Sequence, residues 1–352
     1  VNNTQPLPAP KLEIVKHEVY RHGSAFAVEL TVKNKGQGTA YNVALEDTMT
    51  AFHPISRTFN GVDYETDLTL STMEASCEIA DPSSLPAGSS RTYTCVAIPA
   101  MIHVAGSSAP TPEIGKTVTL RYRSAAGQNY QHAVPYAVTH TTADPGQTVS
   151  EPLAAAHANA LKASAYLIVT NPGVMASNHP MEDISSVLAT MAELAFKRGG
   201  VLGYLGTMNR NTFDGLIEPG GAWANQMHAD FGSTAKGTVL IVGETEIVPA
   251  WLVTGWTITW SNSTCTTREV DNSDLPYADT GGNTRSAPEL IVGRIIGNTL
   301  ADLNRSLRAG IDGVIDRSHA LLISGTDGNA QIQAAFVNSI TTRVIAVVRT
   351  RL

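Results

Sequence analysis

Two hydrophobic periods divide the chain. Between residue 11 and about residue 140, apolar side chains recur at every second position. Phe26, Val28, Leu30 and Val32 alternate with polar neighbours, and residues 40–45, 91–98 and 117–123 repeat the pattern. Alternation of this kind turns one face of each strand to a core and the other to water. Gly, Pro and Asn break the runs, as in Lys33-Asn34-Lys35-Gly36-Gln37-Gly38. Short strands with such turns predict an antiparallel, immunoglobulin-like β-sandwich over 11–142. Ahead of it, Pro6, Pro8 and Pro10 mark residues 1–10 as an extended lead-in, and Ala143-Asp144-Pro145-Gly146 reads as a linker.

From residue 150 the period lengthens to 3.6. Residues 151–163 form an Ala-rich helical stretch, and 180–197 place Ile184, Val187, Leu188, Met191, Leu194 and Ala195 on one helical stripe that Gly199-Gly200 ends. A further helix is expected at 221–231. Residues 165–170 are a continuous apolar run, the signature of a strand covered on both faces, and 201–205, 238–243 and 289–292 read as three further strands. Thr299 with Asp302 resembles a capping box, and Leu300, Leu303, Leu307 and Ile311 mark the helix behind it. Strands at 320–324 and 343–348 around a helix at 330–340 complete the reading. Alternating strands and helices predict a three-layer α/β domain over 150–352, with a mostly parallel sheet.

A length of 352 residues accommodates two such domains. Against 24 Lys+Arg stand 31 Asp+Glu, a net charge of −7, and no basic cluster occurs, which argues against a nucleic-acid partner. Only 16% of residues are charged, below the roughly 25% of a typical globular protein. The Ser/Thr/Asn/Gly-rich surface that results is common in exported proteins. No apolar run approaches the roughly 20 residues of a membrane helix. Val1 is not an initiator Met, so the chain reads as a processed or trimmed product. Asn2-Asn3-Thr4, Asn262-Ser263-Thr264 and Asn304-Arg305-Ser306 match the short glycosylation sequon.

Three cysteines sharpen this picture. Cys77 and Cys95 enclose a strand–turn–strand segment, and a disulfide there would staple a hairpin, a gain of about 3 kcal/mol favouring an oxidising, extracellular compartment. The alternative is two buried thiols in one small core. Cys265 is the odd one, a free thiol, an intermolecular partner or a nucleophile, with His228 or His179 as candidate bases. His157 reads as a helix-surface residue. His17, His22, His53, His103, His132 and His140 are scattered without zinc-ligand spacing. Trp251, Trp256 and Trp260 fall within ten residues, as packing over a sheet edge or as an aromatic binding surface.

Residues Val32-Lys33-Asn34-Lys35-Gly36, Thr39-Ala40-Tyr41-Asn42-Val43 and Leu85-Pro86-Ala87-Gly88-Ser89-Ser90-Arg91-Thr92-Tyr93 resemble the CARDB-type immunoglobulin-like modules of bacterial surface proteins. That resemblance implies a spacer or adhesion module. In the second half, Val239-Leu240-Ile241-Val242-Gly243-Glu244-Thr245-Glu246-Ile247-Val248-Pro249, Ser273-Asp274-Leu275-Pro276-Tyr277-Ala278-Asp279 and Pro288-Glu289-Leu290-Ile291-Val292-Gly293-Arg294-Ile295 resemble the gingipain-like cysteine peptidase family, as does the stretch 166–172. The likeness covers about residues 160–325 and implies a caspase-like fold with a catalytic His, followed by Gly, and a catalytic Cys. Both belong downstream of the Val-Gly-Arg-Ile segment. Here His319 is the only histidine after Arg294 and no cysteine follows it, so no catalytic residue is assigned.

Asp274 and Asp279 could hold Ca²⁺ through carboxylate oxygens. However, the loop 279–286 carries a single acid where the family's is richer in Asp and Gly. The competing reading has Asp274 capping a turn and Asp279 pairing with Arg294. No other cofactor is expected. Two functions follow. The first is the N-terminal portion of a secreted or surface-attached peptidase acting on protein or peptide, with its dyad encoded past Leu352. The second is a non-catalytic extracellular structural or adhesive subunit that assembles with itself or with a cell-surface partner.

Overall fold

A computed structural model describes residues 7–22, 24–59, 62–63, 68–69, 74–81, 83–103, 113–135, 142–144, 147–149, 164–206, 237–254, 257–260, 263–266, 270–278 and 290–313. Val1–Ile311 makes up one compact unit. Of the second, Asp312–Leu352, only the first two residues are described.

The front half consists of strands β1 (Leu12–His22), β2 (Ala25–Asn34), β3 (Ala40–Thr50), β4 (Phe52–Phe59), β5 (Val62–Asp63), β6 (Leu68–Thr69), β7 (Glu74–Asp81), β8 (Ser90–His103), β9 (Glu113–Ser124) and β10 (Asn129–Pro135). Their alternation follows the sequence pattern: β2 buries Phe26, Val28, Leu30 and Val32. A five-stranded sheet in the order β10-β9-β3-β7-β6 supplies Val43, Leu45, Val118, Leu120 and Tyr122 to a core shared with Leu12, Leu30, Val32 and Tyr93 of β1, β2 and β8. The expected linker is partly a short antiparallel hairpin, β11 (Thr142–Asp144) with β12 (Gln147–Val149).

The back half contains β13 (Tyr166–Thr170), helix α1 (Pro172–Asn178), helix α2 (Ser185–Arg198), β14 (Val201–Leu205), β15 (Gly237–Val242), β16 (Trp251–Thr254), β17 (Thr257–Trp260), β18 (Ser263–Thr266), β19 (Val270–Ser273), a 3₁₀ turn (Leu275–Ala278), β20 (Leu290–Ile295) and helix α3 (Leu300–Asp312). β14, β13, β15 and β20 run parallel in that order. The α2 stripe is buried, and Gly199 ends the helix in the left-handed conformation at φ 62°. Helix α3 starts on its cap, with Asp302 N–H donating to Thr299 Oγ1 at 3.2 Å, and buries Leu300, Leu303 and Leu307. α1, absent from the sequence reading, begins at Pro172 behind its cap Asn171.

The architecture corrects the expectation of an immunoglobulin-like sandwich followed by a separate, mostly parallel caspase-like domain. One mixed nine-stranded sheet runs through both halves in the order β1-β2-β8-β14-β13-β15-β20, with β4 attached at β8 and β5 at β4. The described residues are mostly β, with three α-helices. The join is β8, which is 14 residues long and does not stop at residue 98 as its pattern suggested. It pairs β2 antiparallel up to Ala97 and β14 in parallel from Ala100 to His103. Pro99 lies between the two pairings. Having no N–H to give a ladder, proline reads in sequence as a strand end, yet here it marks a change of neighbour. The predicted elements at 151–163, 221–231 and beyond 313 lie outside the described residues.

Candidate functional site

Open α/β sheets present their ligand sites where parallel strands end, at the carboxyl edge. At that edge β15 passes into Gly243 and Glu244 beside the end of β20. Gly243 holds φ 115°, and a Cβ there would sit 2.9 Å from Ile247 Cβ, so the turn requires glycine. Ile247 and Val248 N–H both donate to Glu244 O at 3.0 Å, closing the turn.

Arg294, on β20, is the centre of the cluster. Its Nε donates to Asp274 Oδ2 at 2.8 Å and its Nη2 to Asp274 Oδ1 at 2.6 Å, a two-point fork. Its Nη1 donates to the carbonyls of Gly243 at 2.8 Å, Val248 at 2.9 Å and Glu244 at 3.3 Å. Glu244 Oε1 in turn accepts from Gly297 N–H at 2.6 Å. Tyr277, buried beside Trp251 in an edge-to-face contact, donates its hydroxyl to Pro249 O. One guanidinium thus ties the β15 exit, the Asp274 turn and β20 together. All three of its nitrogens are engaged by the protein itself, so the arrangement positions loops.

On the next strand, Thr170 Oγ1 donates to Val242 O at 2.8 Å, linking the ends of β13 and β15. Asn171 follows, 1% exposed, its Oδ1 accepting from Val174 N–H at 3.1 Å. That contact fixes the amide's orientation and leaves Asn171 Nδ2 buried without a partner. The Tyr204 hydroxyl, opposite Thr170 in register, is likewise buried and unpartnered, and burial pushes its pKa far up. Neither feature was anticipated. The sequence signal for Asn171 was an Asn-Pro pair at a strand exit. Tyr204 had none.

The sequence-derived site residues are placed as follows. Asp274 pairs with Arg294, the role expected for Asp279, which lies outside the described residues. With both carboxylate oxygens engaged by the guanidinium, Asp274 is poorly disposed to take a calcium ion. Among the described residues no group of three or more His, Cys, Asp and Glu is arranged to hold a metal. Cys95 is buried at 3% exposure and is disulfide-bonded, while the Cys77 side chain is outside the described residues. β7 and β8 belong to different sheets, so a Cys77–Cys95 bond would cross between sheets and would not staple a hairpin. Cys265 sits on β18 opposite Ile258, its side chain not described. His179 lies 3.3 Å from Glu182 Oε1 through Nδ1. His17 and Asp47 form a buried pair at 3.6 Å. His157, His228, His319 and Trp256 lie outside the described residues. No helix among the described residues is long and apolar enough to cross a membrane.

No protein-family model and no curated protein matches the chain. Solved structures give distant likenesses. AvmM, which catalyzes macrocyclization in alchivemycin A biosynthesis, shares 10% identity over 36% of this chain and 87% of its own, at a TM-score of 0.21. The chitin-binding domain of a Pyrococcus furiosus chitinase shares 15% over 37% and 100%, at 0.20. A GH20 exo-β-N-acetylglucosaminidase from Vibrio harveyi shares 11% over 55% and 29%, at 0.24. Likeness at this level assigns neither a fold family nor an activity to the chain.

Proposed function

We propose that the chain is the framework portion of an extracellular gingipain-like cysteine peptidase, ordering the carboxyl edge of a parallel sheet while contributing no thiol–imidazole pair among its described residues. The observation that carries this reading is the Arg294 cluster. The segments that resemble the family, 239–249, 273–279 and 288–295, are separate in sequence, yet the Arg294 guanidinium of the last binds the other two. Secretion rests on the sparse surface charge and on the disulfide at Cys95, for which Cys77 is the partner proposed. The second reading, a non-catalytic structural or adhesive subunit, draws on the same cluster, because an arginine whose three nitrogens all bind its own protein serves as a structural tie.

The test reads the coding sequence past Leu352 and treats the natural, complete protein with a peptidyl thiol-reactive probe. A His-Gly strand followed by a Cys-bearing strand, together with labelling of that cysteine and peptide hydrolysis, is the expected result. A stop codon at Leu352, or a continuation that is neither labelled nor hydrolytic, overturns the peptidase reading in favour of the structural subunit.

A further inference from the structure

Strands β9 and β10 border a cavity of about 380 Å³, lined by Asn42, Arg121, Tyr122, Arg123, Asn129, Tyr130 and Gln131, charged and amide side chains together with two tyrosine rings. That volume falls within the roughly 300–1,000 Å³ of small-molecule sites. From this geometry we propose that the cavity binds a carboxylate-bearing saccharide, such as a uronate chain.

Three features lead to that ligand. Two guanidiniums, Arg121 and Arg123, stand two residues apart on one strand and so share a face. Arg121 Nη2 donates to Glu46 Oε2 at 2.6 Å, whereas Arg123 Nε donates to a neutral carbonyl, Gly127 O, at 3.0 Å. In a chain of net charge −7, Arg123 thus presents a positive charge that no carboxylate among the described residues meets, suited to a ligand carboxylate. Second, flat amide side chains surround them. Asn129 and Gln131 are the register partners of Arg123 and Arg121. Asn42 sits in a β-bulge between Tyr41 and Ala44 at φ 49°, a device that re-aims a side chain out of the strand repeat. Planar amides and guanidiniums give paired hydrogen bonds to adjacent hydroxyls. Third, Tyr41 is the register partner of Arg123 and is 39% exposed, an aromatic surface beside the cavity on which a sugar ring can lie. Among the described residues the lining contains tyrosine rings but no aliphatic side chain, which favours a sugar ring over the side chains of an acidic peptide.

The test is a calorimetric titration of the whole 352-residue chain with a galacturonate hexamer. A neutral glucose hexamer and a hexaglutamate peptide serve as comparators, and circular dichroism confirms the fold of each variant. The uronate is expected to bind at least tenfold more tightly than either comparator and to weaken as salt is raised. Arg123→Ala should reduce affinity at least tenfold and Tyr41→Ala several-fold. Gln131→Ala, on the edge strand β10, should also weaken binding and stands in if Arg123→Ala fails to fold. Absence of uronate binding, or binding unmoved by these substitutions, overturns the proposal. Equal binding of hexaglutamate reduces the site to simple charge attraction and overturns the saccharide assignment.

Discussion

The two halves of the nine-stranded sheet achieve order in opposite ways. In the antiparallel half each strand has an inner and an outer face, and polar groups enter the interior as a network. Asp81, from β7 of the five-stranded sheet and with its side chain fully buried, accepts from Arg91 and from Tyr93 Oη at 3.0 Å, both on β8, and from Ser83 Oγ at 2.5 Å. In the parallel half β14 is buried at every position and β13 at all but its first, so no polar network can be threaded through the middle. Fixation there moves to the strand ends, where Arg294 and Thr170 tie the exits together. Around the doubly buried β13 and β14 the specifying polar contacts thus lie at the strand ends and on the half-exposed neighbours β15 and β20.

Breaking the edge should have the largest effect. Arg294→Ala leaves the Asp274 carboxylate, 21% exposed, without its counter-charge and three carbonyls without their donor. A loss of about 3–5 kcal/mol in a urea melt is expected. Arg294→Lys keeps the charge but not the fork and should lose less. If Arg294→Ala melts like the parent, the edge is not what fixes the parallel half. In the antiparallel half, Cys95→Ser should cost about 2–4 kcal/mol, and reducing agent should lower the parent's stability by a similar amount without lowering the variant's further. Peptide mapping under non-reducing conditions should recover Cys95 joined to Cys77. Gly243→Ala forces a Cβ against Ile247 at positive φ and should cost about 1–3 kcal/mol, again at the edge.

The smallest effects separate satisfied from unsatisfied polar groups. Tyr204→Phe removes a buried hydroxyl with no partner and should change stability by no more than about 1 kcal/mol, in the stabilising direction. Tyr93 behaves differently. Burial and the Asp81 carboxylate raise its pKa, so the folded state holds the phenol proton above pH 10, where the unfolded chain releases it. Its contribution is therefore complete below the ordinary tyrosine pKa and is lost as pH rises beyond it. Tyr93→Phe should flatten the alkaline arm of the stability profile. An unchanged arm would assign that loss to other groups.

Much of the element list was legible, because alternation in 25–32 and the helical stripe from Ile184 to Ala195 are local patterns. Their bounds suffered where chemistry misled, as at Pro99, which reads as a strand end but lies inside β8. What the pattern could not convey was sheet membership. Whether Cys77 and Cys95 flank a hairpin or face each other across two sheets depends on which strands β7 and β8 choose, and neighbour choice leaves no periodic trace. The same holds for Arg294. Its sequence context marked it as an ion-pair partner of Asp279, whereas the structure pairs it with Asp274, just ahead of the 3₁₀ turn. Asn171 and Tyr204 have no sequence signature as unpartnered groups, since satisfaction is a property of the surroundings.

The central claim is that β8 joins both halves into one sheet, and native-state hydrogen exchange tests it most directly. Under increasing urea, the protected amides of β8 beyond Pro99 and those of β14 should converge on one opening free energy and one urea dependence. Two separate openings, with β14 exchanging while the antiparallel strands stay closed, would contradict the continuous sheet and restore two independent domains.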